Sequence, residues 1–110
     1  MRAARAFLDP ELQSGAVKPE RAFEVLEKDV VLSHAFAQEE VERFTYRAPG
    51  QANSYFYGYT RLLALREQVE KALGAKFRQK SFHDFVLSQG LLTPDLMRKA
   101  VLEEFVPSQR

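Results

Sequence analysis

The dipeptide Pro49-Gly50 constrains this chain more than any other feature, because it closes one segment and opens a long one that suits only a helix. Proline cannot continue a helix, and glycine tolerates conformations closed to other residues. From Ala52 to Leu73 there is no proline and a single glycine. At roughly 100° per residue, Tyr55, Tyr59, Leu62, Leu63, Val69 and Leu73 fall on one face of the helix expected there. Arg66 lies in the middle of that face, where a guanidinium is costly unless a carboxylate or several carbonyls meet it. The preceding segment carries a similar anomaly. Ser33 is placed to cap a helix running to about Tyr46, with Phe36, Ala37, Val41 and Phe44 inward and Glu40 among them. A short Pro-Gly turn joins the two helices, so antiparallel packing is expected to bring Glu40 and Arg66 together as a buried ion pair, with Asp84 as the rival acceptor.

The remaining segments also read as helices. Met1 to Gln13 has Ala3, Ala6, Phe7 and Leu12 as its inward set, with a break or fresh start at Asp9-Pro10, and Ser14-Gly15 ends it. Lys18-Pro19-Glu20 opens a second helix by placing proline first and an acid in the first turn, with Ala22, Phe23, Leu26 and Val30 inward. Leu73-Gly74 is a stop. Ser81 is expected to cap SFHDFVLSQ, with Asp84 in the manner of a capping box and Phe82, Phe85 and Val86 inward. Thr93-Pro94-Asp95 opens the last helix, with Leu96, Ala100 and Phe105 as its core face. Only Val30-Val31-Leu32 resembles a strand, and it reads as a loop. The expected fold is all-α, a bundle of five to six helices forming one domain over residues 1–110.

Composition narrows the function by exclusion. Sixteen basic and fifteen acidic residues leave a net charge of +1 and lie scattered, which argues against nucleic-acid binding. The absence of cysteine excludes disulfides and thiolate metal sites. No stretch approaches the length of a membrane span, MRAARAFL is too short for a signal peptide, and the compartment stays unknown. A helical zinc site needs two histidines four apart, but His34 is followed by AFAQ and His83 by DFVL. There is no nucleophile elbow, and Gly50 and Gly58 are too sparse for a phosphate-cradling loop. On these grounds the chain itself is expected to hold no metal and no cofactor.

The run PGQANSYFYGYTRLLALR, followed by ALGAKF and FHDFVLSQGLLTPDLMRKAV, resembles the C-terminal portion of the bacterial domain of unknown function 885 family. The family pattern PGQAxSYxxG, then LR, then FHDxVLxxG, falls here on Pro49, Gly50, Gln51, Ala52, Ser54, Tyr55, Gly58, Leu65, Arg66, Phe82, His83, Asp84, Val86, Leu87 and Gly90. Upstream, EVERFTYRAPGQ and SGAVKPERAFEVLEKDVVLS extend the likeness over nearly the whole chain.

The resemblance implies a fragment of a larger, mostly helical gluzincin-like fold, in which an HExxH helix and a later glutamate make a zinc-dependent, peptidase-like site. Those ligands are not in this sequence, so the chain is expected to be a tail that is inactive alone. Its expected partners are the absent N-terminal catalytic part or another copy, met through apolar faces. By the same resemblance, Tyr55 is the candidate catalytic residue, a hydroxyl that hydrogen-bonds the developing oxyanion, and Gln51 is the candidate substrate contact. Tyrosines at helical spacing are equally what an amphipathic core helix carries. A free-standing helical interaction module without catalysis is the alternative.

Overall fold

The computed structural model describes residues 1–110 and contains helices and turns but no strand. Its helices are α1 (Arg2–Ser14), α2 (Pro19–Glu24), α3 (His34–Glu42), α4 (Ser54–Leu73), α5 (Gln79–Ser88) and α6 (Pro94–Ala100). Three of them run on through a widened π turn: α2 through Val25–Asp29, α3 through Arg43–Arg47 and α6 through Val101–Phe105, beyond which Val106–Ser108 makes a last turn. In these turns the amide bonds five residues back, as Val30 does to the Val25 carbonyl at 3.0 Å and Ala48 to that of Arg43 at 2.9 Å.

The start signals act as expected. Pro19 and Pro94 occupy first helical positions, where a missing N–H costs nothing. Ser33 accepts the Phe36 amide and caps α3. Two boundaries differ from expectation. Helix α1 runs through Asp9-Pro10 without a break. Helix α5 begins at Gln79, so Ser81 lies inside it and Asp84 pairs with Lys80 one turn back at 2.5 Å instead of closing a capping box.

The chain forms two compact units, Met1–Gly58 and Tyr59–Arg110, with α4 beginning in the first and continuing in the second. The first unit packs Leu8 of α1, Ala22 and Leu26 of the second helix, Ala37, Val41 and Phe44 of the third, and Ala52 of the turn before α4. On α1 the buried set is Ala4, Arg5, Leu8 and Asp9, while Phe7 is 45% exposed and Ala3 is also exposed. The inward face is therefore rotated from the one expected, because it is chosen by two charged side chains that find partners inside. Phe36, also expected inward, lies outside.

The second unit packs Leu65, Val69 and Leu73 of α4 on Phe82, Met97, Val101, Phe105 and Val106. Phe105 meets the Phe82 ring at 6.2 Å, nearly edge-on, and the Phe85 ring at 5.3 Å, so three aromatic rings fill its centre. Met97 replaces Leu96 as the inward residue of α6.

The Glu40–Arg66 expectation is corrected at both ends. Glu40 is buried as its position requires, but its partner is Arg5, with Nε 2.8 Å from Oε2. Arg66 is half-buried and donates to Glu70 on its own helix at 2.7 Å. A partner four residues along the same helix satisfies the guanidinium without crossing to another element.

Candidate functional site

The segment between the third helix and α4 is a turn over residues 49–53, in which the Gln51 amide bonds the Ala48 carbonyl at 3.2 Å but the Gly50 and Ala52 amides need an acceptor from elsewhere. Asp9 supplies one. Its side chain is fully buried, Oδ1 accepts the Gly50 amide at 2.8 Å, and Oδ2 accepts the Ala52 amide at 2.9 Å. Each carboxylate oxygen takes one charge-assisted bond, and the negative charge sits where a helix start favours it. Gly50 adopts φ +81°, the left-handed region, which a β-carbon would strain. On the other side of the turn, the Gln13 side chain of α1 donates to the Phe44 carbonyl at 2.5 Å, so α1 also holds the widened end of the third helix.

Tyr55 is the second residue of α4. The residue is 48% exposed, and its ring rests against two guanidinium groups of α1, Arg2 at 4.0 Å from the ring centroid and Arg5 at 5.5 Å. Gln51 is exposed in the preceding turn, where its carbonyl accepts the Ser54 hydroxyl at 2.6 Å. Arg5, at 4% exposure, meets both the Tyr55 ring and Glu40. Its contact with Glu40 is a charge contact and not a directed bond, since Arg5 Nε and Nη2 and Glu40 Oε2 are buried with no hydrogen-bond partner.

The apolar stripe expected along α4 is largely outward. Phe56 and Tyr57 in the first unit, and Tyr59, Leu62 and Leu63 in the second, are exposed, and burial begins only at Leu65. Aromatic side chains thus occupy the beginning of α4 without a core to justify them.

Arg5 and Asp9 escaped the sequence reading. An arginine and an aspartate four apart on a helix read as a solvated i,i+4 pair, and backbone donors leave no side-chain pattern to search for. The available signal was their spacing with Ala4 and Leu8, which sets all four on one continuous face.

A family model describing bacterial proteins of unknown function, DUF885, matches residues 1–101. The chain belongs to that family. No curated protein and no solved structure matches this DUF885 chain. The zinc implied by a gluzincin-like reading finds no donor set in the DUF885 chain, where no group of three or more His, Cys, Asp or Glu side chains is gathered to hold an ion. Its two histidines are far from such a role. His34 contacts Glu27 at 2.6 Å and stacks on Phe23, and His83 is exposed beside the Phe82 ring. No helix is long and apolar enough to cross a membrane.

Proposed function

We propose that this DUF885 chain is the substrate-lining part of a larger peptidase-like hydrolase, with Tyr55 as a hydrogen-bond donor to the oxyanion that develops when a carbonyl is attacked and Gln51 as a contact to the substrate. The observation that carries the reading is the anchoring of Tyr55. A half-exposed tyrosine one residue into a helix, beyond a turn pinned by two bonds to a buried carboxylate, is a donor held on a rigid base. Such a donor acts only if it is in place before charge develops. Metal ligands of a zinc-dependent parent would have to come from residues outside this chain, which alone is expected to hydrolyse nothing. In a longer family member containing this segment, Tyr55→Phe should lower turnover about a hundredfold with little change in substrate binding. Unchanged turnover would refute the role.

The exposed aromatic and leucine side chains of α4, together with Leu87 and Leu91 around the end of α5, favour a second reading, an interaction module without catalysis. It predicts stable binding to a partner or self-association by light scattering, with no loss of any activity on Tyr55→Phe.

A further inference from the structure

We propose that Asp9 is a positioning residue for Tyr55, acting through the backbone of the turn between them. The inference rests on the reading of Tyr55 as the donor, and extends it to a residue that touches no substrate. Asp9 is an acid with no exposed surface, and it lies within no ion pair of the molecule. Its two oxygens accept from two backbone amides that are 41 and 43 residues away in the chain, so it fixes the peptide units 49–50 and 51–52 that bracket the 50–51 unit. Three residues past the second anchored amide stands Tyr55. Arg5, one turn before Asp9 on the same buried face, lies against the Tyr55 ring, and its guanidinium is also in charge contact with Glu40. One helix face therefore determines both the backbone that delivers the tyrosine and the surface on which its ring comes to rest.

Burying charge is costly, and an apolar residue at either position would pack the unit at less cost. What an apolar residue could not do is hold two amides at a set spacing, which takes two acceptor oxygens on one planar group.

The test uses Asp9→Asn in this chain. The side chain keeps its size but offers one acceptor oxygen, and turns an NH2 group toward the other amide. Two quantities are read by nuclear magnetic resonance: hydrogen exchange at the Gly50 and Ala52 amides, and Overhauser contacts between the Tyr55 ring and the side chains of Arg2 and Arg5. We expect at least one of the two amides to exchange about tenfold faster or more, and the Tyr55 contacts to be lost, while the Val41 and Phe44 amides keep their protection. Tyr55 contacts that persist when the amides are freed overturn the proposal, as does a uniform loss of protection across the unit, which marks a purely structural role. Should Asp9→Asn fail to fold, the same readings on Asp9→Glu decide. That variant keeps both oxygens but carries them one methylene further out, so the amides and the Tyr55 ring must move together; a change at the amides alone overturns it. Tyr55→Phe keeps the ring, so its effect on turnover tests the donor reading separately from the role of Asp9.

Discussion

Arg5 and Glu40 face each other at 2.8 Å inside the first unit with side chains 5% and 9% exposed, yet no directed hydrogen bond joins them. Removing one partner leaves the other charge buried and uncompensated. Arg5→Met or Glu40→Leu should each cost about 3 to 5 kcal/mol in urea unfolding, and the double variant much less than their sum. Additive losses would show that the two groups do not depend on each other. Arg66→Met, which breaks a pair that is 39% exposed on both sides, should change stability by only about 0.5 kcal/mol.

Val31 has φ +60°, a left-handed conformation rare for a branched side chain, and is 81% exposed. It ends the second helix where glycine is usual, with the Leu32 amide reaching back to the Leu26 carbonyl at 2.9 Å. Val31→Gly should therefore stabilise the chain by about 1 kcal/mol, the relief of the steric strain outweighing the added freedom of the unfolded chain. A lower melting temperature for the glycine variant would contradict this.

Phe105 closes the ring cluster of the second unit and is 3% exposed. Phe105→Ala should cost about 3 to 5 kcal/mol by chemical denaturation, whereas Phe36→Ala, at a site 62% exposed, should lie within about 0.5 kcal/mol of the parent.

Glu24 on α2 accepts hydrogen bonds from Lys28 and Arg21, which together hold its carboxyl below the usual carboxylate range. A depressed folded-state value means that the stabilisation is present above the unfolded carboxylate midpoint and fades as pH falls through the folded one. A carboxyl titration by nuclear magnetic resonance should show Glu24 midway at lower pH than a free glutamate, and Lys28→Met should raise that midpoint. An unchanged midpoint would remove Lys28 as the main cause.

Helix existence and most boundaries were legible because their signals are local: Pro19 and Pro94 at first positions, Ser33 as a cap, and glycines at 15, 74 and 90 near helix ends. The faces were less so. The burial of Glu40 was readable from the stripe it interrupts, but its partner was not, since Arg5 sits on a helix whose inward face cannot be chosen by hydrophobicity once charges are among the buried residues. At the candidate site, Tyr55 and the Pro-Gly turn could be found from sequence. Asp9 could not, because what it recognises is peptide backbone.

The widened turn at Arg43–Arg47 has a consequence for how this segment tolerates insertion and deletion. A π turn holds one residue more than an α turn over the same span. Deleting a residue there would return the turn to α geometry and leave the chain beyond it facing much as before, whereas a deletion in an ordinary α turn swings everything downstream by roughly 100° about the helix axis, the angle one residue subtends. After a deletion in the widened turn the Gly50 and Ala52 amides would still face Asp9, while one within the α-helical part of the third helix would turn them away. A homologue one residue shorter between Arg43 and Arg47 can therefore keep the carboxylate anchor. A change of one residue is thus absorbed at this turn, and not in the α-helical turns before it, without re-aiming the tyrosine.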